Sequence, residues 1–148
     1  MQGLEKLKPL ALLLLRVTLG VIFIYHGYPK LFGHTRQTMD AFAHMGFPPY
    51  FAYLAGVIEF FGGCLLLIGL FTRIAGLLIA AEMAVALVQV QRILEAPRAV
   101  HNYEFPLVLA AAAFTLASLG AGLISFDHVL FHGGGGRSSA PRKAKSKN

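Results

Sequence analysis

Apolar residues are concentrated along this chain in four long stretches. Each is near the roughly 17 to 25 residues that a helix needs to cross a bilayer. Segments such as LALLLL and GCLLLIGL carry apolar groups on every side, whereas the helices of a water-soluble bundle keep a polar face. The pattern predicts an all-α, integral membrane four-helix bundle. Its spans are Leu10 to Tyr28, Tyr50 to Phe71, Ile74 to Val90 and Phe105 to Phe126.

The segment between the first two stretches predicts a short interfacial helix. In TRQTMDAFAHMGFPP, the residues Met39, Phe42 and Met45 recur every three positions. A helix with that spacing can lie on the membrane surface and dip one face into it. Gly46 and the proline pair that follows then end this helix and begin the second span.

Composition and charge agree with a membrane protein and suggest its orientation. Of 148 residues, 56% are hydrophobic and 14% charged, more apolar than a water-soluble domain requires. Lysine and arginine favour the cytoplasmic side, so we expect both termini there. The side predicted to be cytoplasmic has eight lysine and arginine residues, and the outer side has four. The eight are Lys6, Lys8, Arg73, Arg137, Arg142, Lys143, Lys145 and Lys147, and the four are Lys30, Arg36, Arg92 and Arg98.

The last sixteen residues differ in composition from the rest. Residues 133–148 read GGGGRSSAPRKAKSKN, with a glycine run and almost no apolar side chain. We expect a four-span domain over residues 1–132 followed by a disordered, basic cytoplasmic tail. Basic tails of membrane proteins contact anionic lipid head groups, so a nucleic-acid partner is not expected.

Three charged residues fall inside the predicted spans: Arg16, Glu59 and Glu82. An ionised side chain at a span centre costs about 2.5 to 3.5 kcal/mol, so such groups usually face the bundle interior and have partners. We therefore predict a buried charge cluster of these three. Side chains lean toward the N-terminus of their own helix, which would separate Arg16 from Glu59 and let Arg16 reach the head groups instead. The cluster could fix helix register or act as a protonatable site.

Small residues accompany these charges. Glycines at helical spacing let membrane helices approach closely, because no side chain separates the backbones. Four of them are predicted to pack the first two spans together: Gly20, Gly27, Gly56 and Gly63.

A second group of polar residues is predicted near the outer face, where it could form a site. Its members are His26, Lys30, Gln89, His101 and Glu104. No pair among these outer histidines has ligand spacing on one helix. His128 and His132 are four residues apart, which is ligand-compatible spacing, but two residues do not make a site, so no metal site is predicted. Cys64 is the only cysteine, which excludes an internal disulfide and a redox dithiol. No covalently bound cofactor is expected.

The ordered motifs of this chain resemble the DoxX family of small bacterial membrane proteins. The resemblance covers roughly residues 12–123. Its first part is carried by Arg16, Gly20, Phe23, Gly27 and Lys30, followed by the segments Gly46-Phe47-Pro48, Glu59-Phe60-Phe61-Gly62-Gly63 and Gly69-Leu70-Phe71-Thr72-Arg73.

The resemblance implies a multi-pass protein of the bacterial inner membrane. Members are associated with quinone-linked sulfur oxidation and with membrane oxidoreductase complexes, which favours a non-autonomous subunit with quinone as its cofactor. Besides the lipid bilayer, the expected partners are an oxidoreductase protein and a second copy of this chain. Two alternatives are an assembly scaffold with purely structural charges and a small proton-coupled transporter. Buried carboxylates also serve transporters, although four spans would require at least a dimer.

Overall fold

A computed structural model describes residues 5–90 and 100–132, and all regular structure in these ranges is helical. Two of the helices continue into a π-helical turn. In chain order the elements are α1 (Lys8–Tyr28) with the π turn Pro29–Gly33, α2 (Thr35–His44), α3 (Phe51–Ile68), α4 (Thr72–Val85) with the π turn Ala86–Val90, α5 (Val100–Leu119) and α6 (Phe126–His132).

The apolar helices are compatible with the predicted membrane helical bundle. Within residues 5–90 and 100–132, three stretches are long and apolar enough to cross a bilayer, namely Lys8–Gly33, Phe51–Ile68 and Thr72–Val90. The shorter apolar stretch Tyr103–Leu119 makes a fourth member of the bundle. The segment predicted to lie on the membrane surface is helical as α2, while its interfacial position and the cytoplasmic termini stay predictions. Residues 133–148, predicted as the tail, lie outside the described residues.

One apolar core joins α1, α3, α4 and α5. It includes Phe23 of α1, Leu66 of α3, Ile79 of α4 and Leu116 of α5, all of which are almost fully buried. The outward faces of the same helices carry large exposed apolar side chains, including Leu77 and Phe114. A helical bundle that is apolar inside and outside suits lipid as its surroundings.

The helices α1 and α3 pack backbone to backbone through the four glycines named above. A Cβ atom added to Gly20 would lie 2.9 Å from the carbonyl oxygen of Gly63, and one on Gly63 would lie 2.8 Å from that of Gly20. Gly27 lies against the backbone of Phe60, and Gly56 against the side chain of Lys30. Residue numbers rise along α1 as they fall along α3, so the two helices are antiparallel.

A second close approach joins α4 and α5. A Cβ on Gly76 would lie 2.8 Å from the carbonyl oxygen of Ala113 and 3.0 Å from the nitrogen of Ala117. The four alanines in a row in α5 signal this packing in the sequence, because small residues let membrane helices come together. The bundle therefore consists of two tightly packed pairs that share one core.

The helix that corresponds to the fourth predicted span ends earlier than that prediction. The helix α5 stops at Leu119 rather than near residue 126. Gly120 and Gly122 have φ angles of 81° and 78°, a left-handed conformation that glycine adopts without strain. Residues 120–125 consequently turn toward Arg16 of α1 and lead into α6.

We predict that Gly27→Ala destabilises the protein, because the new methyl group would meet the Phe60 Cα at 2.9 Å. Backbone atoms of a packed helix cannot move aside, so the free energy of unfolding should fall by about 1 to 3 kcal/mol. Thermal unfolding in a mild detergent measures the effect. Gly33→Ala is the matched control, because its methyl group would make an ordinary 3.6 Å contact with Pro29. Equal melting temperatures for the two variants would contradict this packing.

Candidate functional site

An ion pair joins α1 and α3 within the membrane-spanning part of the bundle. The Nζ atom of Lys30 lies 2.5 Å from Oε2 of Glu59. Glu59 is 4% exposed, whereas the Lys30 side chain keeps 21% of its surface exposed. Lys30, predicted as part of an outer polar site, is thus the partner of the buried carboxylate.

The antiparallel packing of the two helices explains this pairing. Helical side chains lean toward the N-terminus of their own helix. Lys30 at the C-terminal end of the first span and Glu59 on α3 therefore lean toward each other. Gly56 leaves room for the lysine stem, and a Cβ there would lie 3.0 Å from Lys30 Cβ.

The π-helical turn around Lys30 has a local cause. Pro29 has no N–H and cannot continue the hydrogen-bond pattern of α1. Its carbonyl instead accepts a hydrogen bond from His34 N, five residues later, at 2.7 Å. Such π turns often occur at functional sites, and this one contains the only cation that pairs with a buried carboxylate in the described residues.

Glu82 of α4 completes a group of three ionisable side chains. It interacts electrostatically with both Glu59 and Lys30. Its Oε2 atom is buried and has no hydrogen-bond partner in the part of the chain that the structure describes. One ammonium group therefore faces two carboxyl groups, and low-dielectric surroundings tolerate that surplus negative charge poorly. We call Lys30, Glu59 and Glu82 the carboxylate–lysine cluster.

The prediction that Arg16 belongs to the same cluster is wrong. Its guanidinium donates hydrogen bonds to the carbonyl oxygens of Ala121, from Nη1 at 3.0 Å, and Ile124, from Nη2 at 2.8 Å. Arg16 is 3% exposed, so the surrounding protein encloses its guanidinium. Arg16 leans toward the N-terminus of α1 and away from Glu59, and the turn after α5 supplies the acceptors.

Arg16 lies beside a second polar contact at this end of the bundle. The Asp127 carboxylate accepts hydrogen bonds from the backbone N–H groups of Phe71 at 2.7 Å and Thr72 at 3.0 Å, and so caps the start of α4. The Asp127 N–H donates to Gly69 O at 2.9 Å. A Cβ on Gly69, whose φ is 73°, would lie 2.7 Å from Arg16 Cζ. We call Arg16, Gly69 and Asp127 the C-terminal latch.

Asp127 was not among the residues singled out from the sequence. The amides that it caps are 55 and 56 residues away, so no local spacing reveals the contact. The only available signal was an isolated acidic residue near the end of an otherwise apolar stretch.

The other members of the predicted outer polar site do not converge. His26 donates through Nδ1 to Ile22 O of its own helix at 2.9 Å, and its ring centroid lies 6.2 Å from that of Phe105. His101 and Glu104 pair with each other at 2.9 Å on the exposed surface of α5. Gln89 is exposed on the second π turn.

Two cavities in the described part of the chain have linings that do not include the carboxylate–lysine cluster. One of about 660 Å³ lies on the outward side of α1, beside Tyr25, Tyr28 and His34. The other, of about 550 Å³, lies at the latch end of the bundle. Lys30 and Glu82 are the partly exposed members of the cluster, whereas Glu59 is buried.

Comparisons with known proteins identify relatives across most of the chain. The sequence model of the family named DoxX matches residues 11–92, more than half of the chain. "Putative oxidoreductase CatD" of Bacillus subtilis (strain 168) is 38% identical over 121 residues, which cover 82% of this chain and 87% of the relative. "Uncharacterized membrane protein Rv3486" of Mycobacterium tuberculosis is 30% identical over 141 residues, or 94% and 84% of the two chains.

A third relative is "Inner membrane protein YqjF" of Escherichia coli (strain K12). It is 34% identical over 79 residues, which cover 52% of this chain and 58% of the relative. No solved structure matches the chain. The names of the relatives and the three span-length helices confirm the multi-pass inner-membrane localisation expected from the sequence.

We predict that Asp127→Ala destabilises the protein by removing the acceptor for two amides at the start of α4. Loss of a helix-capping carboxylate costs about 0.5 to 2 kcal/mol. Thermal unfolding in mild detergent should show a lower melting temperature for this variant. Asp40→Ala on the exposed face of α2 is the matched control. The capping role fails if both substitutions leave the melting temperature where it was.

Proposed function

Because the chain belongs to the DoxX family of membrane proteins, we propose that it is the membrane subunit of a quinone-linked oxidoreductase complex. The carboxylate–lysine cluster is the proposed site for the quinone head group. The observation that carries the proposal is the buried Glu82 oxygen without a hydrogen-bond partner in the described residues, beside a partly exposed ammonium group. Ionisable groups inside membrane spans usually mark substrate paths or proton relays.

The donors of the cluster suit the carbonyl oxygens of a quinone. The Lys30 ammonium has three N–H donors, of which Glu59 takes one. Glu82 becomes a donor when its carboxyl group carries a proton, the state in which one ammonium and one carboxylate remain and the cluster is neutral. Two donors of this kind can orient one polar ring.

An aromatic group next to Lys30 suits the flat ring. The ring centroids of Tyr28 and Phe32 are 5.4 Å apart, and Phe60 lies 6.3 Å from Tyr28 and 5.4 Å from Phe32. Tyr28 and Phe32 are exposed on the side of the bundle that faces lipid. A lipid-soluble quinone could therefore approach from within the bilayer and place its ring against these side chains.

The chain's own residues supply protons and orientation, whereas a partner supplies electrons. Reduction of a quinone consumes two electrons and two protons. Glu82 and the Lys30–Glu59 pair can hold protons next to a bound ring, but a single cysteine cannot form a redox dithiol. The electron donor is therefore placed on a partner protein, and the name of the Bacillus subtilis relative supports an oxidoreductase role.

We predict that Glu82→Gln preserves the fold but lowers the rate of quinone reduction by the complex. Glutamine keeps the size of the side chain and cannot exchange a proton, and loss of general acid–base catalysis typically costs about 10² to 10⁴ in rate. The measurement is quinone reduction in membranes, together with binding of a short-chain quinone to the purified protein. Glu104→Gln on the exposed surface of α5 is the matched control. An unchanged rate in Glu82→Gln would refute the assigned role.

A scaffold function is the second candidate. The observation that favours it is the closed Lys30–Glu59 pair, which can hold α1 and α3 in register without any chemistry. A scaffold needs only the fold, whereas a quinone site needs the charges. Replacing both members of a buried ion pair by apolar residues is often tolerated, but removing one leaves an unpaired charge.

The double variant Lys30→Met/Glu59→Met separates the two functions. We expect it to fold, whereas Lys30→Met alone should lose about 3 to 5 kcal/mol of stability, because it leaves Glu59 and Glu82 without a cation. The quinone proposal predicts that the folded double variant no longer binds quinone. Full activity of the complex with this variant would favour the scaffold instead, as measured by quinone reduction and by co-purification of the partner.

A further inference from the structure

The cavity at the latch end of the bundle has no role in the proposed quinone site. It has a volume of about 550 Å³, within the range of ordinary ligand sites. It lies where the turn between α3 and α4 meets the segment after α5. We propose that this cavity binds one anionic phospholipid, with the phosphate at Arg73 and an acyl chain along Ile74, Leu119 and Leu123.

The walls of the cavity suit an acyl chain. Ile74, Leu119 and Leu123 are each more than half exposed, although all three are large apolar residues. Ile74 belongs to the first turn of α4 and Leu119 to the last turn of α5, so the cavity opens at the ends of two membrane helices. That level of a membrane protein is where head groups give way to hydrocarbon.

Arg73 supplies the charge for a phosphate. It lines the cavity, is exposed, and has no hydrogen bond or ion pair within the described ranges 5–90 and 100–132. A Cβ on Gly120 would lie 3.1 Å from Arg73 Nε, so glycine at that position lets the guanidinium lie close to the backbone of the cavity wall. A guanidinium group binds phosphate oxygens through two parallel N–H donors.

Asp127, the one acidic residue of the cavity wall, does not pair with the Arg73 guanidinium. Both carboxylate oxygens of Asp127 accept backbone N–H groups, those of Phe71 and Thr72. Its negative charge is directed at the positive end of the α4 dipole. The Arg73 guanidinium consequently remains available to a ligand.

Charge at this end of the chain favours an anionic lipid over a zwitterionic one. The sequence after α6 contains Arg137, Arg142, Lys143, Lys145 and Lys147 within eleven residues. Basic residues near a membrane surface attract anionic lipids electrostatically. A cation at the ends of membrane helices, in a chain whose sequence has further basic residues, suits such a head group.

Native mass spectrometry of the full-length chain in mild detergent tests the proposal. Phosphatidylglycerol and phosphatidylcholine with the same acyl chains would be titrated against the native protein and against Arg73→Gln. We expect one tightly retained phosphatidylglycerol, weaker retention of phosphatidylcholine, and an affinity for phosphatidylglycerol about five- to tenfold lower in Arg73→Gln. Arg73→Lys should bind phosphatidylglycerol with an affinity between those of the native protein and Arg73→Gln, because lysine keeps the charge and loses the paired donors.

Arg36→Gln, on the exposed face of α2, is the matched control and should bind phosphatidylglycerol as the native chain does. Inorganic phosphate at millimolar concentration should not displace the lipid, since the acyl chain contributes to binding. Melting temperatures without added lipid establish that every variant folds. Equal phosphatidylglycerol affinity in Arg73→Gln and the native protein, equal retention of the two lipids, or displacement by phosphate alone would each overturn the proposal.

Discussion

A charge buried between membrane helices must find its partner within the protein, because the hydrocarbon around the bundle offers none. This constraint organises the whole structure. Glu59 is neutralised by Lys30 from the neighbouring helix, and Arg16 is solvated by two carbonyl oxygens of a turn. The first arrangement is an ion pair with an extra carboxyl group beside it. The second satisfies two of the guanidinium nitrogens with neutral acceptors.

Close backbone packing is what makes these partnerships geometrically feasible. The helices α1 and α3 lie so near each other that the Lys30 side chain reaches the Glu59 carboxylate on the other helix. The close approach depends on Gly20, Gly27, Gly56 and Gly63. Larger residues at these positions would separate the helices and lengthen the distance between the two charges. The glycines therefore support the site as well as the fold, since the ion pair depends on the separation of the helix axes.

The sequence predicted the architecture well because apolar length and helix number are local properties of a chain. The three span-length helices begin and end within a few residues of the predicted bounds. Partners were harder to predict, since a charge at a given depth can pair with any neighbour. The lean of side chains toward their helix N-terminus separated Arg16 from Glu59 and, applied to Lys30 as well, would have identified the correct pair. The capping by Asp127 and the early end of α5 depend on contacts between distant segments, which no spacing rule reveals.

The C-terminal latch also has a consequence for how the protein is made. Arg16 and its acceptor Ala121 are separated by 105 residues, and the acceptors lie beyond the segment that matches the family. At a synthesis rate of about 5 to 20 residues per second, the ribosome needs roughly 5 to 20 s to deliver the acceptor after the arginine has emerged. During that interval the first helix must keep its guanidinium near water or at the translocation machinery. Final burial of the Arg16 guanidinium is thus coupled to synthesis of residues 121–124.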